Sequence, residues 1–524
     1  MKNIKVRTCV KLSVIILFIG LVISPSVFSI NVNYEINKAL RSVIKVDDDG
    51  DGDYIKIQDA IDNSTPGDII EVYSGIYIDE NVTLNKQLTL KGIDSELGGG
   101  TGIGKPLVIG VIDSQPEMGL ITVLADDCSV SGFHLKGKEN CYCKAGVELL
   151  TGNNDIFQND IENVNFGILL YWGASTNRIY ENYFPGTFYA VVSYSNDNEI
   201  FDNYACNNGY GIKISYPAIN NKVYRNTVIN IDDAGIQTSR SNNNFIFENT
   251  VINCPKGIVC YNEGEGFEMV VYKNDVKECG QGICCSGSRH RIYQNNVTDC
   301  GEGIIYSGSF YNDDTVIFEN NINSCGTGIS LGEIEDSEIY ENIIYACETG
   351  IGTSNTYNCN IHRNNLTDNN NGIVLGGNGY NNIFNNNITY NKEYGLLVSN
   401  SNENLIYHNN FIENQMNVYS DCSLLYPWQD YNTWDLGYKK DGGGNYWSDY
   451  TGIDKNGDGI GDTPYVIPDV YPNPLTNDRD RYPLMKPDSS PTCKPHSFNR
   501  LFIILLEKLF ERFPLFEKLL LYVR

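Results

Sequence analysis

A chain of 524 residues with a formal charge of -27, from 65 acidic and 38 basic residues, repels phosphate backbones. That balance argues against a nucleic-acid partner and favours divalent cations and neutral or cationic ligands. Only 5 His and 5 Met are present, which leaves few imidazole or soft ligands for copper or zinc. The length exceeds the usual range of one domain, about 50–250 residues, so a single domain this long needs a repeat architecture.

Residues 1–29 read as an export signal. Lys2, Lys5, Arg7 and Lys11 precede an apolar run, Leu12 to Ile23, broken only by Ser13 and Gly20, and Val27-Phe28-Ser29 ends on a small residue suited to cleavage. The run is shorter than the roughly 20 apolar residues of a spanning helix. An uncleaved anchor is the alternative, and either way the remaining chain is expected to be secreted or at the cell surface.

Asp47, Asp49, Asp51 and Asp53 then alternate with Gly50 and Gly52. They read as a solvated acidic lead-in, with a calcium loop as the alternative. Ile57 to Ile61 forms a short amphipathic helix able to cover the first turn of a solenoid, and Pro66–Val72 and Leu88–Gly92 read as its first strands.

From about Val46 to Asp421 a repeat decides the fold. The block Ile-aromatic-x-Asn-x-apolar recurs with Asn at 159, 182, 203, 226, 249, 274, 295, 320, 342, 364, 386 and 409, at intervals of 21 to 25 residues. Eight or nine residues after each Asn from 159 to 386 comes Gly and an apolar residue, from Gly167-Ile168 to Gly395-Leu396, with Ala190-Val191 the one substitute. The apolar runs are three to five residues long, rich in β-branched residues and fenced by Asn, Gly, Ser and Asp, which specifies strands. The expected architecture is all-β: a right-handed parallel β-helix of three short strands per coil of about 23 residues, with an N-terminal capping helix and a small C-terminal cap over residues 422–485.

Stacking coils pile like side chains into columns. Asn suits the turn because its amide donates and accepts along a stack and tolerates left-handed backbone. Ile or Val three before each Asn should line the interior. The aromatic one residue later should face outward, as a row that either binds sugar or props the sheet.

Ligand-binding candidates are Tyr171, Trp172, Tyr194, Tyr216 and Tyr261, which follow Gly-Ile strands in nearby coils and offer platforms for sugar rings. Catalytic groups are harder to place. Asp197, Asp232, Asp233, Glu263 and Glu265 lie in turns near these aromatics, with Arg178, Arg225 and Arg240 close in repeat phase, but no paired-acid constellation stands out. Cys254, Cys279, Cys300, Cys325 and Cys347 each follow a repeat Asn by five residues, and parallel Cβ vectors favour a buried thiol ladder over disulfides or a metal row. Cys260 and Cys285 share a phase and read as core, while Cys141 and Cys143 could pair only poorly. His134, His290, His362 and His408 fall in different phases or distant coils, which argues against copper.

After the solenoid, Asp454, Asn456, Asp458 and Asp462 place oxygen ligands at alternate positions around Gly459, the pattern of a structural calcium loop, although Tyr465 stands where an EF-hand has its bidentate Glu. The ion-free reading is an acidic, Gly-rich turn. Residues 486–497 form a Pro-containing linker, and 498–524 read as an amphipathic tail for membrane-surface or protein docking, or for packing on the solenoid end.

The repeat, the segment GDYIKIQDAI…PGDIIEV and the run from Gly442 to Ile467 with Asp480-Arg481-Tyr482-Pro483-Leu484 resemble archaeal surface proteins of the NosD-like, CASH-type β-helix group within the pectin-lyase-like superfamily. The resemblance extends over nearly all of the mature chain to Met485. It implies the fold, and it is loose for activity, since the group includes carbohydrate-binding, sugar-hydrolase-like and copper-related members. The leading expectation is a non-catalytic, exported protein that binds polysaccharide or glycan. The alternatives are a polysaccharide lyase or glycoside hydrolase, and a structural surface-layer or adhesion element.

Overall fold

The computed structural model describes residues 41–78, 81–110, 119–138, 144–261, 268–308, 313–377, 379–421, 432–438, 442–468 and 478–488. The expected export signal 1–29, Cys141, Cys143, Glu263, Glu265 and the tail 498–524 lie outside these residues.

Each circuit of chain adds one strand to each of three parallel sheets in turn, and among the described residues these hold 16, 15 and 16 strands. Sheet A runs from Val43–Val46 to Leu405–Tyr407, sheet B from Ile76–Ile78 to Tyr446–Trp447, and sheet C from Val82–Leu84 to Met416–Asp421. This is the parallel β-helix that the periodicity predicts. The Ile or Val three before each Asn, from Ile156 to Ile406, forms an unbroken buried column against the Ile, Val and Leu that follow the repeat glycines.

The repeat Asn residues sit buried at the corner between sheets A and B. Asn182 donates its backbone N–H and its Nδ2 to Asn203 Oδ1, each at 3.1 Å, and Asn203 repeats this toward Asn226. The file continues link by link through Asn409 to Asn445. The left-handed backbone is one residue earlier than expected: it falls on the residue before each Asn, such as Glu181, Arg225 and Lys273, with φ of 55°, 52° and 55°. The reason is that the Asn itself must hold its amide in the wall, so the preceding exposed residue makes the bend. Asn files occupy parts of the other two corners too, as with Asn154, Asn177 and Asn198 between sheets C and A.

The glycines preceding the inward Ile form a column for a different reason. A Cβ on Gly282 would stand 2.5 Å from Gly303 O, and one on Gly257 would stand 2.5 Å from Gly282 O. The coils approach too closely there for any side chain.

At the corner between sheets B and C the five cysteines form one buried file. Each thiol donates to the carbonyl two residues before it, at 3.2 Å for Cys279 and 3.4 Å for Cys300. Asn369 and Asn391 take over the same corner in later coils. The 11 described cysteines are all free and buried. Ellman titration of the native protein is therefore expected to find them unreactive, and to find them all after denaturation; rapid native labelling at Cys300 would contradict this burial.

Both ends are covered. At the first coil the helix Ile57–Asn63 buries Ile57, Ala60 and Ile61, and its Gln58 side chain accepts the Thr83 N–H of the first sheet C strand at 2.8 Å. Lys86 closes the helix C-terminus through the carbonyls of Ile61 and Ser64, each at 3.0 Å. At the other end Trp447 stacks between Phe411 and Tyr465, with centroids 4.4 Å away on each side. The Asn file ends where Asn445 donates to the buried carboxyl of Asp480 at 2.6 Å.

Candidate functional site

The outer face of sheet C departs from its own repeat between about residues 144 and 261. Three positions per strand point outward there: the residue before the glycine, the second residue after it, and the strand end. In the first column Phe166, Tyr189 and Tyr210 pair in register and stack, with centroids 5.4 and 4.6 Å apart. Phe188 meets the edges of Tyr189 and Tyr210 at 4.9 and 5.6 Å. The middle column carries Leu169 and Val192, and Tyr171 and Tyr194 flank it on the far side. Together with Ala145 these form an apolar cluster separate from the solenoid core.

Cations border this band of rings, beneath which Leu169 and Val192 are buried. The Lys144 ammonium lies 4.9 Å from the Tyr171 ring centre and 3.0 Å from the Glu148 carboxylate. Lys213 lies 5.6 and 5.9 Å from the rings of Tyr189 and Tyr210. Asp233 accepts the Tyr210 hydroxyl, which pushes that phenol up to about 12, and Lys256 stands 3.8 Å from Asp233. Phe166, Tyr189 and Tyr210 stack on one another, so this band offers a sugar ring edges and hydroxyls beside fixed donors and acceptors, with Tyr171 and Tyr194 outside that stack.

Of the five aromatics singled out in sequence, Tyr171 and Tyr194 form one side of the band. Trp172 follows Tyr171 and is 72% exposed, and Tyr216 is 65% exposed, one residue beyond strand Tyr210–Ser215. Tyr261 is separate: it pairs with Ser239, which pairs with Ser215, so two serine coils intervene before the band. Sequence reasoning missed Phe166, Tyr189, Tyr210, Lys144 and Lys213. The signal was present, since Phe166, Tyr189 and Tyr210 each directly precede a repeat Gly or Ala.

The long aromatic row two residues before each Asn does point outward on sheet A, but its ring faces are occupied. From Phe157 to Tyr407 the rings stack coil upon coil with centroids 4.7 to 5.2 Å apart, His362 included. The row props the sheet, at about 0.5–1.5 kcal/mol per pair beyond area burial. Arg225 and Arg178 also belong to the sheet A side. Arg225 clasps Asp202 through two bonds of 2.8 and 2.7 Å, and Arg178 faces Asp155 at 3.5 Å. Neither joins Asp233 on sheet C, and Asp197 accepts from Asn220 in an exposed turn at 3.1 Å.

In the C-terminal loop, Asp454 accepts the N–H groups of Gly457 and Gly459 at 2.6 and 2.8 Å, Asp458 that of Ile460 at 2.9 Å, and Asp462 that of Lys455 at 2.9 Å. Asn456 accepts the N–H of Asp458 at 3.0 Å. In this arrangement the carboxylates of Asp454, Asp458 and Asp462 serve the loop's own backbone and do not converge with one another.

The fold and this face define a parallel β-helix protein with one decorated outer sheet. The family model described as "Periplasmic copper-binding protein (NosD)" matches residues 189–299 and 265–452, about half of the chain, and the protein belongs to the NosD family. No curated protein matches the sequence. Solved structures with a similar trace include the mannuronan C-5 epimerase A-module of Azotobacter vinelandii, 13% identical with a TM-score of 0.39, over 72% of this chain and 92% of that one. An alginate lyase complex is 13% identical with a TM-score of 0.43, over 67% of this chain and 86% of that one. The catalytic domain of an α-1,3-glucanase is 13% identical with a TM-score of 0.35, over 72% and 64%. At these values the likeness carries no argument about activity.

The described residues do not fit a copper site. His134 bonds Glu162 at 3.1 Å, His362 is held in the aromatic stack, and His408 bonds Gly442 O at 3.1 Å. His290 is buried, which draws it down to about 4, and it bonds Ser286 O. Among the described residues the one convergent group of three or more candidate ligands is Asp47, Asp49 and Asp51, a hard oxygen set unsuited to copper.

Proposed function

We propose that this chain is an exported β-helix protein that holds a polysaccharide along the outer face of sheet C, without a catalytic step. The observation that carries this reading is the band of aromatic rings, Phe166, Tyr189 and Tyr210 on one side and Tyr171 and Tyr194 on the other, packed over buried Leu169 and Val192 and bordered by Lys144 and Lys213. A pyranose ring has apolar C–H faces and a polar rim, and the half-exposed rings and bordering cations offer a surface for each. Export is supported by the basic and apolar N-terminus and by the family's periplasmic description. Among the described residues, no helix is long and apolar enough to cross a membrane. Calcium in the loop of Asp454, Asn456, Asp458 and Asp462 is part of the same proposal, as a structural ion in the C-terminal cap; its support is the alternating oxygen pattern around left-handed Gly457 and Gly459. The tail 498–524 would attach the protein to a membrane surface or a partner.

The test is a glycan array followed by affinity measurement on the best binder. Tyr171→Ala with Tyr194→Ala is expected to weaken binding at least tenfold, about 1.4 kcal/mol, whereas Phe318→Ala in the stacked row should leave it unchanged. Binding that survives the Tyr171 and Tyr194 changes would remove this face as the site. A second reading, polysaccharide lyase or hydrolase, draws on Tyr210, Asp233 and Lys256 lying side by side as acid–base groups. New reducing ends or unsaturated products on incubation with pectic or alginate-like glycans would favour it over simple binding.

A further inference from the structure

We propose that the start of the solenoid is a calcium site, built by Asp47, Asp49 and Asp51 with Glu96 and closed by the glycine-rich loop 97–102. One carboxylate oxygen from each of the three aspartates lies within 4.8 Å of the others. Asp47 is not in a solvated lead-in, as its surroundings in sequence imply. It is fully buried, its Oδ2 accepts the Asp51 N–H at 3.1 Å, and its Oδ1 is buried with no partner among the described residues beyond the neighbouring carboxyl groups of Asp49 and Glu96. A buried carboxylate oxygen without a donor is costly, and a cation is the partner that such an oxygen lacks.

The fourth carboxylate comes from the second coil, after strand Thr89–Gly92. Glu96 Oε1 and Asp49 Oδ2 lie 2.6 and 2.1 Å from the point where a Gly100 Cβ would stand, so the two oxygens are close neighbours. Gly98 is pressed against Asp51 Oδ2 in the same way, at 1.9 Å from its Cβ position. The loop's amides also turn inward: Gly99 N–H donates to Asp51 Oδ2 at 2.9 Å and Gly102 N–H donates to Glu96 Oε2. Among the described residues no lysine or arginine pairs with any of these four acids. The loop has thus closed over a concentration of negative charge that no cation among the described residues neutralises.

The donor set chooses the ion. Asp47-x-Asp49-x-Asp51-Gly52 reproduces the first six positions of a calcium loop, with oxygen ligands at alternate residues and Gly at the sixth. Where such a loop ends in a Glu of its own, this one receives Glu96 from across the corner. All-oxygen, carboxylate-rich and irregular ligands suit calcium, which accepts 6–8 oxygens, better than magnesium, which demands a near-ideal octahedron. The ion would fasten three segments to one another: the lead-in strand, the cap that follows it, and the loop of the second coil. This site is independent of both the glycan face and the loop at 454–462.

The experiment uses the full chain, stripped with chelator, dialysed against calcium in excess magnesium and measured for bound calcium per chain. Asp49→Asn with Asp51→Asn is expected to lower the count by one ion, and to do so equally in a background carrying Asp454→Asn and Asp458→Asn. Should that double variant fail to fold, Glu96→Gln alone is expected to weaken one calcium at least tenfold in a calorimetric titration. An unchanged count in Asp49→Asn/Asp51→Asn, unchanged affinity in Glu96→Gln, or complete displacement of calcium by magnesium would overturn the proposal.

Discussion

Replacing Asn295 with alanine is expected to lower the unfolding free energy by about 4 kcal/mol, from removal of a single exposed-looking polar residue in a turn. The side chain is in fact buried and makes five contacts at once. Its Nδ2 donates to Val271 O at 3.0 Å, Tyr293 O at 3.2 Å and Asn320 Oδ1 at 3.0 Å. Its Oδ1 accepts the backbone N–H and the Nδ2 of Asn274, both at 3.0 Å. Alanine leaves the Asn274 N–H unpaired in a dry wall, at about 1–3 kcal/mol, and also removes the side-chain bonds to Val271, Tyr293, Asn320 and Asn274 Nδ2. Urea denaturation with matched m-values measures this, and Asn296→Ala, one residue along and half-buried, should cost far less. A loss under 1 kcal/mol would mean that water replaces the amide and that the file is dispensable.

Gly282→Val is expected to cost at least about 3 kcal/mol, beyond what a helix or strand propensity could explain. The added Cβ would meet Gly303 O at 2.5 Å and Val297 Cγ1 at 2.7 Å, and the first of these is backbone that cannot rotate away. Two coils must then part along sheet C, where Gln281–Ser286 and Glu302–Ser307 are paired. Gly332 is the matched control, because a Cβ there meets nothing within 4 Å. Gly332→Ala should change stability by no more than about 0.5 kcal/mol, and equal losses at the two positions would refute the close-approach explanation.

The architecture was legible because its determinants are local and repeated. An Asn with Ile or Val three residues before it, and a Gly with Ile after it, state both the corner and the inward direction within 13 or 14 residues. The stacked aromatic row on sheet A was legible as to direction, but whether its faces were free depended on coil spacing, which brings each ring against the next. The candidate site was legible only in part. Tyr171 and Tyr194 stood out, yet Tyr210 acquires its significance from Asp233, which lies in the following coil, and Lys144 from Tyr171 one coil on. Asp47 shows the limit most clearly. Seven residues of acid and glycine read as solvent-exposed, and nothing nearby in sequence reveals that Glu96 and three glycines fold over them.

The nearest-neighbour character of the stack has a consequence for how such a molecule changes over time. Along the regular part of the stack each coil rests on the coil below and the coil above through like columns at its corners, so a whole period there can be duplicated or lost while the Asn and Gly columns keep their contact types. Asn295 followed directly by Asn321 would re-enter sheet B in phase. The span of the outer surface is therefore a gauge set by tandem duplication, while the two covered ends, where the chain departs from its period, stay constant.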